Sequence, residues 1–366
     1  MATAPPPART SEEKSDLRAA PRRTAFNSAA HGLRGIASLM VFWAHLLSGM
    51  AEHVYASNAA FVASTRAPWH FGTYGVELFF VLSGFVILPS VRRYSAKEFA
   101  IRRFLRLYPL FFALSVVFVV LNALTDSYPK LNTWQAIASG FLFLNLFNGT
   151  EQLTPNAWSL TYEVFFYVLL CTAYQTLRRH RQPLAAAFAV GLFAWFWFVF
   201  PIVTFFVFGL VIRLVHDRGW RLPEVIAWPL EAGSCLACVY FASRGWFAYS
   251  HEDLTDPVVL GIMISTALYF LAASQEESLT GRLLGGAWVR YLGTVSYSLY
   301  LVHPYTYFAC RILFKELGLF GTDIALSLVT FYAVTTSITL LATHYVHRWL
   351  EVLPYQAFFH QRVYRA

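Results

Sequence analysis

The sequence predicts an all-α polytopic membrane protein of about ten transmembrane helices, with one short re-entrant or interfacial segment. Of its 366 residues, 57% are hydrophobic and only 13% are charged, and the mean hydropathy is +0.49. Apolar runs of roughly the 20 residues that cross a bilayer core recur along the chain and are separated by short polar breaks. These observations exclude an ordinary soluble domain.

Ten apolar runs of the sequence are predicted to span the membrane. The ten predicted spans are residues 33–50, 72–89, 104–124, 157–177, 184–200, 201–215, 225–243, 257–275, 291–310 and 322–345. Residues 136–147 are also apolar, but a run of about twelve residues suits a re-entrant or interfacial segment better than a crossing. The two spans that meet at Pro201 have almost no loop between them.

The distribution of basic residues predicts the orientation, because cytoplasmic loops carry the excess of Lys and Arg. With ten spans and a cytoplasmic N-terminus, 23 of the 28 basic residues lie inside, whereas an eleventh crossing at 136–147 would leave only 15 inside. We therefore expect a multi-pass protein of the cell inner (plasma) membrane with both termini cytoplasmic. Since the basic residues lie in breaks between spans, a nucleic-acid partner is not expected.

Composition also predicts the domain organisation. Residues 1–30 are rich in Ala, Pro and charge and are expected to form a disordered cytoplasmic tail. Residues 31–350 form the ten-span membrane domain, and residues 351–366 form a cytoplasmic C-terminal tail. Cys235 and Cys238 have the spacing of half a metal site, but no second pair follows, so no metal site is expected. His31 and His347 lie near span ends and receive no special role.

Ionisable residues inside spans are costly and therefore mark candidate functional sites. Counting residues at 1.5 Å each from the predicted span ends puts His45, His303, Glu163 and Glu77 in one layer of the outer half. Such a group supplies a general base, its orienting partner and a proton acceptor. A buried polar network that only locks the helices together explains the same layer.

Basic residues form a second group of candidates. Arg34 precedes His45 by eleven positions, which at about 100° per residue puts both on one helical stripe. Arg103 and Arg106 belong to the densest basic run, residues 92–106. Arginine grips phosphate bidentately, so a phosphorylated cytosolic ligand is one interpretation of these residues. Anchoring the topology and binding anionic lipid headgroups are the alternatives.

Five strings in order resemble the acyltransferase-3 family of integral membrane O-acyltransferases over residues 33 to about 351. They are Arg34 followed after ten residues by His45, an FFxxSG string within 75–85, an RxxR string at 103–106, WSLxxExxFY at 158–167, and 296–303 ending at His303. The resemblance implies transfer of an acyl group, usually acetyl, from cytosolic acyl-CoA to a hydroxyl. No permanently bound cofactor is implied, because acyl-CoA is the donor substrate.

The resemblance also implies roles for residues. His45 would be the general base or a covalent acyl carrier, assisted by Glu163 or His303, and Arg34, Arg103, Arg106 and Ser83 would hold the donor. No hydrolase domain of the SGNH type follows the spans, so we expect the membrane domain to complete the transfer alone or to pass the acyl group to a separate protein.

The acceptor remains open at the level of the sequence. A cell-surface or exported polysaccharide, or its lipid-linked precursor, is the first expectation because the polar layer is expected toward the outer half. A macrolide or other small secreted metabolite is the second. A transporter or flippase of lipid-linked glycans is a hypothesis of a different class, since intramembrane charges and many spans serve it equally well.

Overall fold

The computed structural model describes residues 27–154, 156–179 and 181–362, and within these residues the protein is all-helical without a β-strand. The predicted tail therefore lies outside the described residues up to position 26. The first helix begins at Ser28, where the Asn27 side chain accepts a hydrogen bond from the backbone N–H of Ala30. This N-cap satisfies one of the free amides of the first turn.

The helices are named in chain order. They are α1 (Ser28–His53), α2 (Ala59–Thr73), α3 (Gly75–Arg93), α4 (Ala96–Thr125), α5 (Trp134–Phe141), α6 (Asn145–Asn148), α7 (Trp158–Tyr174), α8 (Pro183–Val199), α9 (Thr204–Asp217), α10 (Glu224–Ala242), α11 (Pro257–Ala273), α12 (Leu279–Leu283), α13 (Ala287–Glu316), α14 (Ile324–Val346) and α15 (Leu353–Arg362). A π-helical turn, His347–Val352, joins α14 to α15.

Each of the ten predicted spans is helical, and the protein has the long apolar helices of a membrane protein. Among the described residues, five helical segments are long and apolar enough to cross a bilayer, or six if a bent pair is one span. That pair, Pro183–Val199 and Pro201–Asp217, bends by 113° where the sequence predicts two crossings around Pro201. Ten crossings therefore stay a prediction, while the helical membrane architecture is confirmed.

The parallel pairing of α1 with α13 positions the candidate site. Gly35 lies against the backbone of Gly293, where an added Cβ would come within 2.7 Å of the Gly293 nitrogen. A Cβ on Gly293 would come within 2.3 Å of the His31 carbonyl oxygen. Only glycine permits such a close approach of two helix backbones. The contact fixes the register in which His45 of α1 lies opposite His303 of α13.

Between α4 and α7 the chain enters the interior instead of remaining at a surface. The short helices α5 and α6 lie here, in the region predicted to be re-entrant or interfacial, and Asn145, Gln152 and Asn156 are buried. The Asn156 amide donates to the Tyr300 carbonyl oxygen, and the Tyr300 hydroxyl donates to the Asn156 carbonyl oxygen at 2.7 Å. Helix α7 consequently begins well inside the protein.

The residues predicted as a C-terminal tail contain more structure than that term implies. Helix α15 packs on α4, where the Arg102 guanidinium donates to the Tyr355 hydroxyl at 2.8 Å. The same guanidinium lies over the rings of Tyr94 and Phe359, 4.2 and 4.3 Å from their centroids. Helix α15 is thus fixed against the membrane domain by one arginine.

Replacing Gly293 by Ala should lower stability, because the new methyl group must separate α13 from α1. We expect a loss of about 1–3 kcal/mol, as for other overpacked sites. Thermal unfolding of the detergent-solubilised protein measures it. Gly191→Ala is the matched control, since nothing lies within 4 Å of its added Cβ, and it should be neutral or slightly stabilising. Equal melting temperatures for the two variants would contradict the close pairing.

Candidate active site

The structure brings the two predicted histidines together. His45 Nδ1 and His303 Nε2 lie 3.1 Å apart, and the rings stack with centroids 5.1 Å apart. His303 is fully buried, and its Nδ1 lies 3.2 Å from the Leu299 carbonyl oxygen. Since a carbonyl oxygen only accepts, His303 carries its proton on Nδ1, and its Nε2 accepts the Nδ1–H of His45. The lone pair of His45 therefore lies on Nε2.

His45 lines a cavity of about 490 Å³, here called the histidine cavity. It lies between the C-terminal half of α1, the C-terminal part of α4 and the second half of α13. Aromatic side chains and polar groups share its walls, among them Phe118, Tyr305, Asn156 and Arg311. A cavity of this size and mixed character suits a small organic ligand or the end of a larger one.

A second cavity of about 730 Å³, here called the arginine cavity, lies toward the other end of α1. Five arginines line it, whereas Glu351 is the only carboxylate among its described lining residues. The three arginines predicted from the sequence to hold a donor, Arg34, Arg103 and Arg106, all belong to this lining. An arginine-rich cavity with a single carboxylate is an anion-binding environment.

The three predicted arginines also lack ion-pair partners. Among the described residues, Arg34 and Arg106 form no hydrogen bond or salt bridge, and Arg34 Nε is buried without a partner. Arg103 donates only to the Ser90 hydroxyl, at 3.2 Å, and lies over the Tyr167 ring. By contrast, the lining residues Arg102 and Arg213 pair with Glu98 and Asp217. All three side chains are partly buried, and withdrawing an unpaired cation from water is costly, so an anionic ligand would stabilise them.

Ser83 and Glu163 meet, but at neither histidine. The Ser83 hydroxyl donates to Glu163 Oε1 at 2.8 Å, and the Tyr167 hydroxyl donates to the same oxygen. Glu163 also interacts electrostatically with Arg34 and Arg103. Close packing accounts for the glycine of the FFxxSG string, since a Cβ on Gly84 would come within 2.0 Å of the Phe206 carbonyl oxygen.

The expected single layer of four ionisable residues is wrong for Glu163. Helix α7 begins inside the protein, where Asn156 contacts Tyr300, one turn before His303. Glu163 lies five residues beyond the start of α7 at Trp158, a further 7 Å or so along the helix. Residue counting from the membrane surface failed because the preceding segment enters the interior.

The predicted position of Glu77 in this layer is also wrong. Helix α2 precedes α3 almost without a break, and the two run antiparallel to α1, with Gly72 beside Ala44 and Gly75 beside Ala37. Glu77 therefore lies farther from the level of His45 than Gly75 does. Its carboxyl group lies near the buried Tyr249, and Glu77 lines neither cavity.

Four residues at the cavities were not given a role from the sequence. Asn156 lines the histidine cavity, and its Oδ1 is buried without a partner among the described residues. His31, His347 and Glu351 line the arginine cavity. The only sequence signal for Asn156 was its position directly before the WSL string. The histidines carried none, since residues near span ends look like interfacial residues.

The described residues contain no group of three or more His, Cys, Asp or Glu that could hold a metal ion. What the helical membrane domain does contain is a histidine pair at one cavity and unpaired arginines at another. An imidazole at one cavity and an anion-binding environment at another are features that a membrane-bound group-transfer enzyme requires. The chain belongs to the acyltransferase-3 family, whose acyltransferase domain matches residues 27–345, and it is an O-acyltransferase.

Curated relatives agree with this assignment. The exopolysaccharide production protein ExoZ of Rhizobium meliloti is 27% identical over 268 residues, covering 67% of this chain and 80% of that protein. The acyltransferase MdmB of Streptomyces mycarofaciens is 25% identical over 318 residues, covering 74% and 76%. The putative peptidoglycan O-acetyltransferase YrhL of Bacillus subtilis is 24% identical over 377 residues, covering 89% and 55%. No solved structure shows significant similarity to the chain.

Replacing Arg102 by Ala should release α15 from the wall of the arginine cavity, since Tyr355 and Gln356 of α15 line that cavity. The variant loses a charged hydrogen bond and two cation–π contacts, each worth about 0.5–2 kcal/mol. We expect faster cleavage of α15 in limited proteolysis of membranes. Arg348→Ala, at an exposed position in the preceding π-helical turn, should cleave at the wild-type rate. Unchanged cleavage of the Arg102 variant would show that α15 is held by other contacts.

Proposed function

We propose that this O-acyltransferase moves an acetyl group from cytosolic acetyl-CoA to a hydroxyl of a cell-surface or exported polysaccharide, or of its lipid-linked precursor. One observation carries the proposal. Helix α1 presents Arg34, whose Nε is buried without a partner among the described residues, to the arginine cavity and His45 to the histidine cavity, with His45 oriented by His303 at 3.1 Å. A donor site and a base thus lie on one helix.

The hydrogen bonds of His303 define the chemistry of His45. The chain from the Leu299 carbonyl oxygen through His303 to His45 Nδ1 leaves His45 Nε2 as the basic atom. In the proposed step, Nε2 takes the proton of the acceptor hydroxyl while the hydroxyl oxygen attacks the thioester carbon. The carbon–sulfur bond then breaks, and the departing CoA thiolate receives the proton from the imidazolium.

The arginine cavity is the proposed donor site. Coenzyme A carries a pyrophosphate and a 3′-phosphate, and Arg34, Arg103 and Arg106 supply charges that no described carboxylate neutralises through an ion pair. Arg34 and His45 are about 16 Å apart along α1. The extended pantetheine arm of the donor would cover this distance. Because these arginines lie among the most basic parts of the sequence, we assign this cavity to the cytosolic side.

Ser83 and Glu163 keep a role in this proposal, although a different one from direct assistance to His45. Glu163 supplies a negative charge that interacts electrostatically with Arg34 and Arg103. Ser83 and Tyr167 fix its position by hydrogen bonds. Through this electrostatic interaction, and through the contact of the Tyr167 ring with Arg103, the three residues would stabilise the charges of these arginines in the proposed donor site.

The glycan acceptor is supported by the names of two relatives, an exopolysaccharide production protein and a putative peptidoglycan O-acetyltransferase. The histidine cavity fits that acceptor class. Its aromatic walls suit the apolar faces of sugar rings, and Asn156 Oδ1 is a buried acceptor without a partner among the described residues. A sugar hydroxyl would satisfy that oxygen.

Replacing His45 by Ala should lower acetyl transfer by about 10²–10⁴-fold, the usual contribution of a general base. The measurement is transfer of radiolabel from acetyl-CoA to total surface glycan in membranes that contain equal amounts of each variant. His70→Ala is the matched control, because His70 lines neither cavity and its ring lies against the Ser243 carbonyl oxygen and Trp69.

Three results are informative. Label in glycan that disappears only with His45→Ala supports both the donor and the base. Full transfer by that variant would contradict the assignment of His45 as the general base. Absence of label with the wild-type protein would exclude acetyl-CoA and glycan as the pair of substrates, and would direct the assay to another acyl donor or a small secreted acceptor.

A further inference from the structure

A buried polar cluster in the arginine cavity has no role in the steps above. His347 Nδ1 lies 2.9 Å from Glu351 Oε2, and the Ser298 hydroxyl donates to the same oxygen at 2.9 Å. Ser298 is fully buried and Glu351 is 8% exposed. Since a carboxylate oxygen accepts, His347 donates its Nδ1–H to Glu351. The imidazole ring is therefore fixed in orientation.

The local backbone explains why these residues meet. His347 and Glu351 lie in the π-helical turn His347–Val352 between α14 and α15. Such turns widen the helix locally and occur often at functional sites. Here the turn faces both side chains toward α13, and His347, Glu351 and Val352 all line the arginine cavity.

The cluster lies between the arginines and the histidine pair. On α13, the level of Arg34 is marked by Gly293, which packs against Gly35. Ser298 lies five residues farther along α13, and His303 another five, so each interval is about 7 Å. His347 thus lies roughly halfway along the path from the phosphate-binding arginines to His45.

When the His347 imidazole is neutral, its free nitrogen accepts a hydrogen bond, whereas phosphate oxygens need donors. Nδ1–H is donated to Glu351, and among the described residues Nε2 has no hydrogen-bond partner. In a neutral imidazole Nε2 carries a lone pair, which repels phosphate oxygens and accepts an N–H. Of the parts of an acyl-CoA donor, the pantetheine arm between the phosphates and the thioester contains two amide N–H groups.

We propose that His347, held by Glu351 and Ser298, binds the pantetheine arm of the donor by accepting one of its amide N–H groups. The inference rests on the proposed function, because it requires an acyl-CoA donor in the arginine cavity. Glu351 and Ser298 are positioning residues that act through His347. The site would select thioesters of pantetheine over acyl groups on carriers that lack the amides.

The test compares two donors, acetyl-CoA and S-acetylpantetheine, which has the arm but no phosphate. His347→Phe keeps a ring of similar size and removes the nitrogen. We expect it to raise KM for both donors by the same factor, about five- to fiftyfold, because one amide loses its partner. Changes in kcat should stay within about threefold. Arg106→Gln, by contrast, should raise KM for acetyl-CoA only.

Two further variants separate binding from packing. His347→Gln retains an acceptor oxygen and should restore KM to within a few-fold of the wild-type value. His344→Phe is the matched control, since His344 lies one turn earlier, is exposed and contacts Tyr291 outside the cavity. It should leave both KM values unchanged. His347→Leu replaces the phenylalanine variant if the latter does not accumulate in membranes.

The outcomes are distinct. A rise in KM for acetyl-CoA alone would assign His347 to the phosphates or the adenosine and overturn the proposal. A fall in kcat at constant KM, or no effect on either donor, would overturn it as well. If the wild-type protein uses neither donor, the proposed function fails and this inference fails with it, whereas turnover of both donors without an effect of His347 removes the inference alone.

Discussion

The backbone contact between α1 and α13 is the constraint on which the rest of the site depends. Gly35 and Gly293 bring the two helices so close that no side chain fits between them. Parallel helices in contact keep the same register along their whole length, so this contact near one end determines what meets farther on. It sets His45 opposite His303, and it places Ser298 between the level of Arg34 and the level of the histidine pair.

The same pairing separates two chemical environments along one helix. At the Arg34 end, three guanidinium groups are partly buried without a salt bridge to a described residue, a cost that the proposed anionic donor would offset. At the His45 end, the cavity is aromatic and polar, and its charged lining residues are Glu52 and Arg311 instead of a cluster of arginines. Such a division suits the proposed transfer, in which a charged donor and a hydroxylated acceptor would bind from different directions and meet at His45.

Helix α15 and the segment between α4 and α7 show how irregular elements complete a helical membrane site. The first closes one wall of the arginine cavity through Arg102, and the second brings Asn156 to the histidine cavity. The second segment contains buried polar groups, which need partners in an apolar interior, and the first contains the partly buried hydroxyl of Tyr355. Their hydrogen bonds to α4 and α13 supply those partners and fix the segments where the site needs them.

The sequence by itself determined the helical membrane class, all ten helical segments, the family, the pairing candidates His45 and His303, and the group of Arg34, Arg103 and Arg106. These follow from hydropathy, residue type and spacing within one helix, which are local properties. Tertiary structure alone decided the levels of Glu77 and Glu163, because depth depends on where a preceding segment enters the protein. It alone also placed His347 and Glu351 in the arginine cavity, since a π-helical turn and the packing of α14 on α13 join residues that are about 50 positions apart in the chain.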